Sequence, residues 1–403
     1  MPDSPVSVSG SYSNEISMQI ANIFRISRCV LVCAAFAIAT PNVGAQTPRV
    51  LALGPRTGEL REAFSVVQAV RELKDGRVIV ADAKDRLVWI GDFTTGAATQ
   101  FSRQGAGPGE YNSASGLFAA PGDSTMLLDM GNRRIVMIDD AGKPAGQRAL
   151  STTATIGGRV MAVRAPEFAD ARGVLYASAV PAPTPGAPPG TTELVVRLTA
   201  TGADSITSIV TPPAKPRNQF RADGTTWTTA GPNPLAARDG WAVAPDGRIA
   251  LVRAADYHVD WIARGERVSG RPVGIPRLPL RDADKADVLS PANQKQASTN
   301  VGGATTMSAM PTPQFDDWPE VLPAFRARSP IVSPDGRLWV ERFRSAGDSV
   351  PVLDVFDATG NAVARLTLPR KTRLIGFGAE ALYVVRTDDD DLQHLERYRI
   401  PRP

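Results

Sequence analysis

The chain has 403 residues, with 45 basic and 41 acidic side chains and a formal net charge of +4. The two signs are interspersed, and no run of Lys or Arg makes the one-sided patch that a nucleic acid requires, so the charge reads as a mixed, solvated surface. With 34 Pro and 35 Gly and few long amphipathic periods, the composition is that of many short strands and turns.

The first forty-five residues have the pattern of an export signal. Arg25 and Arg28 form a positive flank, Cys29 to Ala39 is an unbroken apolar run, and Val43-Gly44-Ala45 places small residues before Gln46. Met18 lies ten residues before Arg28, which makes it the expected true start and gives a signal of ordinary length. The apolar run is short of the roughly 20 residues that span a bilayer, so no membrane span is expected. The two cysteines, Cys29 and Cys33, both fall in the removed segment. The expected product is a soluble, monomeric, cysteine-free protein, periplasmic or secreted, held together by burial of its core.

From Gln46 on, one phrase recurs: a tight polar turn, an apolar strand, a second turn, another strand. Asp75-Gly76-Arg77-Val78-Ile79-Val80, Asp246-Gly247-Arg248-Ile249-Ala250-Leu251 and Asp335-Gly336-Arg337-Leu338-Trp339-Val340 state it clearly, and degenerate copies occupy 122–128, 172–176 and 380–385. Strand-turn units that cannot bury both faces alone stack on one another, which for β-only repeats of this size predicts a six-bladed β-propeller.

Strands are expected at 64–70, 77–82, 86–90 and 97–101 in blade one and at 114–119, 125–129 and 134–139 in blade two. Blade three is assigned 160–164, 173–178 and 193–199, interrupted by the Pro-rich loop Pro181 to Gly190. Blade four runs from Trp241 through Arg248–Val252 to Tyr257–Ile262, and blade five has Arg337–Glu341 and Val352–Phe356. Blade six, with Leu374–Phe377, Ala381–Arg386 and His394–Ile400, ends the chain one strand short. Arg49 to Leu53 is expected to fill that place beside His394–Ile400 and close the ring.

The segment Asp129-Met130-Gly131-Asn132-Arg133-Arg134-Ile135-Val136-Met137-Ile138-Asp139, preceded by Gly105-Ala106-Gly107-Pro108-Gly109-Glu110-Tyr111, resembles the NHL repeat of six-bladed propellers, and the chain as a whole resembles the exported bacterial members. That resemblance implies a fold and an exported life. It implies no activity, because propellers host binding modules and enzymes alike.

Candidate chemistry is sparse. His258 and His394 are the only histidines, each in an expected strand without an obvious partner on a loop, which excludes a zinc site of converging ligands and a Ser-His-Asp hydrolase. Asp388 to Asp391 reads as a solvated hairpin tip, since calcium also wants backbone carbonyls and a Gly-shaped loop. Asp82 and Asp129, with Arg86 and Arg134, recur in successive blades and read as architecture: Asp accepting turn amides, Arg reaching a carboxylate or carbonyl.

Pro276 to Ser329 breaks the repeat most, and long insertions are commonly lids or binding loops. Residues 281–294 suit a short helix. Phe315, Trp318 and Phe325, with Arg277, Arg326 and Arg328, would either staple the loop to the ring or line a pocket for an anionic or carbohydrate-like ligand. The function expected is that of a binding or scaffold module without a cofactor. The alternative is a calcium-dependent, lactonase-like hydrolase or lyase with its site in the central channel.

Overall fold

The computed structural model describes residues 48–182, 190–220, 226–290, 297–301, 304–308 and 314–402. Gln46–Pro403 forms one compact unit. The expected export signal, with its Ala45–Gln46 junction, and most of the Pro181–Gly190 loop lie outside the described residues.

The second strand of each blade shows why these residues form sheets. Val78–Asp82, Thr125–Asp129 and Leu338–Glu341 are buried along their whole length. Unbroken apolar runs of this kind suit strands covered on both faces. The turn before them is equally legible. Gly76, Gly247 and Gly336 have φ of 86°, 87° and 82°, the left-handed region where a Cβ is strained. One residue earlier, Asp75 and Asp246 each accept the amide of the residue two ahead, both at 3.0 Å, which is the local bond that makes Asp a turn former. The Arg of the phrase packs in two ways: Arg77 reaches across to blade two, donating to the Asp140 carbonyl at 3.0 Å, and Arg248 lies 4.8 Å from the Trp261 ring centre within blade four.

Six sheets follow one another along the chain as blades, in which consecutive strands are antiparallel neighbours running from the inside outwards. Blade one is Val67–Glu72, Val78–Asp82, Leu87–Asp92 and Ala97–Gln100; blade two is Ala114–Ala119, Thr125–Asp129, Arg134–Ile138 and Pro144–Ala149. Blade four is Gly240–Val243, Ile249–Arg253, His258–Ala263 and Glu266–Ser269; blade five is Ile331–Val332, Leu338–Glu341, Val352–Phe356 and Ala362–Thr367. Inner strands pack side by side from blade six through one to five, and blades five and six share the cluster of Trp339, Leu353, Leu382 and Val384. The protein is a six-bladed β-propeller.

Closure uses an N-terminal strand, but a different one from that expected. Blade six is Thr372–Phe377, Ala381–Thr387 and Gln393–Arg399, and Gly58–Phe64 supplies its outer strand, with Gly58 opposite Arg397 and Phe64 opposite Gln393. Blade one therefore begins at Val67, so the expected strand over 64–70 is split between two blades. Arg49–Leu51 instead runs parallel to Ala362–Thr367 on the rim of blade five. The reason lies in the side chains. Leu60 and Phe64 are buried with Phe93, Tyr383 and Leu395, and Arg386 joins Glu59 and Glu396 at 2.9 and 2.8 Å. Arg49–Leu51 buries only Leu51.

The recurring carboxylates do architectural work. Asp82 accepts the amides of Ser65, Val66, Lys84 and Asp85 at 2.7 to 3.2 Å, fastening the entry of an inner strand to the following turn. Asp129 repeats this with Asn112, Ser113 and Asn132. The arginine pairing is displaced by one residue: Arg86 corresponds to Arg133, both at positive φ (56° and 51°). Arg134 instead bonds Asp129 and the carbonyls of Ala106 and Glu110 at 3.2, 2.9 and 2.8 Å, pinning the Gly-rich loop before blade two.

Leu60→Ala should cost about 2–5 kcal/mol of stability by leaving a cavity in the closure seam. Deletion of residues 46–53 should leave a cooperatively folding monomer. Urea denaturation and light scattering check both, and the opposite ranking would return ring closure to Arg49–Leu53.

Candidate ligand site at one mouth of the ring

In a blade of this topology the turns joining strands one to two and three to four lie at one face of the ring. The entries of the inner strands, the second-to-third turns and the crossings between blades lie at the other. Three departures from the repeat occur at that second face. They are a raised hairpin of blade three (Thr153–Ile156 with Arg159–Val163), a hairpin before blade four (Lys215–Phe220 with Thr226–Gly231), and the insertion between blades four and five.

Blade three shows how a local sequence makes a site. Gly157 and Gly158, at φ 56° and 76°, form a two-residue turn, from which the strand descends paired as Met161 with Pro181 and Val163 with Ala179. Pairing resumes as Phe168 with Tyr176. Residues 164–167 thus face only residues 177 and 178, a bulge in an inner strand. Pro166 within it has no N–H for the ladder, and bulges re-aim side chains. The bulge is anchored by the Arg164 and Glu167 amides, which donate to the Ser178 and Tyr176 carbonyls, both at 2.9 Å. Arg164 grips Glu193 on the third strand with two bonds of 3.2 and 3.0 Å.

Glu167 is the group this bulge delivers. Its side chain is exposed, although desolvation by the protein around it pushes its carboxyl up from the usual range. Arg328, Arg238 and Arg164 oppose that rise, and Glu193 adds to it. Arg238 stands at the entry to blade four and Arg328 at the entry to blade five. Residues from three consecutive blades thus act on one carboxyl group, each beside the entry of an inner strand. Among the described residues, the buried Arg238 Nε has no hydrogen-bond partner.

Of the residues proposed from sequence, Arg328 joins this cluster. Phe325 is in the core, 3% exposed, with its ring stacked on Tyr257 at 5.1 Å. Phe315 and Trp318 are half-buried and touch each other with centroids 5.1 Å apart. Arg277 is exposed, ahead of the helix Asp282–Leu289, and Arg326 lies over Phe343 and pairs with Glu341 at 3.3 Å.

The insertion is fastened at several points. Leu322 donates to Leu278 at 2.8 Å, Phe343 to Ala324 at 3.1 Å, and the Ala346 amide to the buried Asp284 carboxylate at 2.6 Å. Asn233 Nδ2 donates to the Asp317 carbonyl at 3.2 Å, bringing the Phe315–Trp318 segment to the loop that carries Arg238. A cleft of about 130 Å³ separates the helix from the blade five turn and is lined by Leu235, Arg326 and Arg344 among others.

Both histidines have partners that sequence reading missed. His258 contacts Asp256 and Asp260, and His394 Nε2 lies 2.8 Å from Asp388 Oδ2. Asp388 also accepts the amides of Asp390 and Leu392, so the acidic run is the turn of the last blade. Among the described residues no three His, Cys, Asp or Glu side chains converge as metal ligands, and no helix is long and apolar enough to cross a membrane. Glu167, Arg164, Glu193 and Arg238 were not singled out from sequence. Pro166 inside an inner strand was the one available signal.

Neither a protein-family model nor a curated protein matches the sequence. Solved structures similar to it include regucalcin, a calcium-binding protein from Agrobacterium tumefaciens, at 14% identity over 88% of this chain and 97% of that one, with a TM-score of 0.38. Virginiamycin B lyase from Staphylococcus aureus is similar at 10% identity over 85% and 98%, with a TM-score of 0.39. At these identities and scores the likeness says nothing about a ligand or an activity.

Phe325→Ala should lower stability by about 3–5 kcal/mol, as for a buried aromatic, and Trp318→Ala by no more than about 1 kcal/mol. Equal losses in chemical denaturation would show Trp318 to be as much a part of the core.

Proposed function

We propose that the protein is an exported, NHL-like propeller that binds a ligand at its second face and carries out no chemistry on it. What supports this reading is that three large departures from the repeat among the described residues gather at one face, where Arg238 and Arg328 also act on the Glu167 carboxyl. Repeat scaffolds keep their stability in the stacked strands, which frees one face for recognition. Arginines that can approach a ligand in a partly enclosed site suit an anionic or acidic-carbohydrate partner, because a guanidinium offers several donors in a fixed plane. Phe315 and Trp318 would supply apolar area at its edge.

Charge reversal separates the two faces. Arg238→Glu with Arg328→Glu should abolish binding to any hit from a panel of soluble saccharides and organic acids. Arg77→Glu with Arg248→Glu, at the opposite face, should leave it intact. Loss of binding only in the second pair would move the site to the other mouth.

Export is read from the mature terminus. Expressed from Met18, the protein should be recovered outside the cytoplasm beginning at or within a few residues of Gln46, as mass spectrometry will show. Retention of residues 18–45 in a membrane fraction would overturn the assignment.

A further inference from the structure

The connection between the second and third strands is short in three blades, covering 83–86 in blade one, 130–133 in blade two and 254–257 in blade four. In blade five it is a longer loop, 342–351. That loop reaches the crossing into blade six and is fastened there. The Lys371 amide donates to the Ser349 carbonyl at 3.0 Å, the Leu368 amide to the Pro351 carbonyl at 2.9 Å, and the Thr387 amide to the Lys371 carbonyl at 2.9 Å. Lys371 itself is held at φ 56°, in the left-handed region. Between this loop, the crossing and the last turn of the chain lies a cavity of about 360 Å³, within the range of about 300–1,000 Å³ that small-molecule sites occupy.

The groups that line the cavity fall into two sets. Arg386 and Asp388 are committed. Arg386 bonds Glu59 and Glu396 at 2.9 and 2.8 Å, while Asp388 accepts the Asp390 and Leu392 amides and lies 2.8 Å from His394 Nε2. The others can meet a ligand. Arg370 is exposed and, among the described residues, makes no ion pair within 4 Å; its Nη1 only just reaches Ser349 Oγ, at 3.5 Å. Lys371 pairs with Asp389 at 2.7 Å, but the Asp389 side chain is 97% exposed, and a pair so open to water holds weakly. Ser349 and Thr387 add hydroxyl side chains to the lining.

We propose that this cavity binds the phosphate group of a small phosphomonoester, with Arg370 and Lys371 as its cations and Ser349 as a hydroxyl donor. A guanidinium offers parallel donors and an ammonium a point charge, the two means by which proteins hold phosphate. Both stand on the crossing, whereas Ser349 comes from the blade five loop. Donors on separate segments suit a group with oxygens in three directions better than a flat carboxylate. Binding releases Lys371 from Asp389, whose carboxylate turns into water. Removing the Asp389 charge should therefore help the ligand, an effect opposite in sign to the removal of Arg370. The site lies on the second face but shares no residue with the Glu167, Arg238 and Arg328 group, and it stands independently of the reading above.

Isothermal titration with glucose 6-phosphate, glucuronate and glucose at physiological salt tests this. The wild type should bind glucose 6-phosphate, hold glucuronate about tenfold more weakly and not bind glucose. Arg370→Gln should weaken glucose 6-phosphate by about tenfold or more without changing the melting temperature, as expected for an exposed side chain. Asp389→Asn should tighten it by about threefold. Arg238→Glu with Arg328→Glu should leave it unchanged, because charges outside the cavity are screened. No binding of glucose 6-phosphate by the wild type, equal affinity for glucuronate, or binding that survives Arg370→Gln overturns the site. Loss of glucose 6-phosphate binding on reversal of Arg238 and Arg328 instead would assign the phosphate to those arginines, so that this inference fails while the broader reading stands.

Discussion

Every blade has two apolar faces and can cover neither alone, and that constraint governs the rest of the molecule. The second strands of blades one, two and five are buried from end to end, so each sheet is stable only between two neighbours. A linear stack would leave two apolar faces exposed at its ends, and a ring leaves none. The chain reaches that state by giving blade six an outer strand from its own beginning. Glu59 and Glu396, opposite each other across the seam, are reconciled by Arg386 and Arg56. Directly opposed like charges would otherwise weaken the pair.

The seams between blades also carry polar bonds, and tyrosine supplies two of them. Tyr257 of blade four donates to the buried Asp354 of blade five at 2.8 Å, and Tyr383 of blade six donates to Glu72 of blade one. Burial is the first cause pushing both phenols up, which keeps them protonated and therefore able to donate. Asp354 is further gripped by Arg342 at 2.7 and 2.9 Å. A carboxylate this deep would be very costly alone, and the surrounding donors are what make it tolerable. Such bonds fix the angle between blades more closely than apolar contact does, because a hydrogen bond has a direction and a greasy contact does not.

What was legible in the sequence follows from the range over which each signal acts. The Asp-Gly-Arg turn and the apolar run after it are local, and they revealed the blades, their number and most strands within two residues. Ring closure depends on which of two N-terminal segments buries more side chains against a strand more than three hundred residues away, so Arg49–Leu53 and Gly58–Phe64 could not be ranked by pattern alone. Phe325 had the composition of a ligand platform, yet its neighbours Tyr257 and Phe356 come from elements far off in sequence. The Asp388 to Asp391 turn was readable because its bonds run between residues two and four apart.

The mouth cluster was hidden for a related reason. Arg164, Glu167, Glu193, Arg238 and Arg328 are spread over three blades and share no motif, since a ring brings together residues at the same height in successive repeats rather than residues near in sequence. The reliable trace was negative: a proline where an inner strand should bond, followed by a glutamate. A regular strand would have pointed alternate side chains into the neighbouring blades. The two extra residues at 164–167 break that alternation and leave Glu167 exposed. Blade three thus departs from the repeat in a bulge that the Arg164 and Glu167 amides still fasten to the second strand.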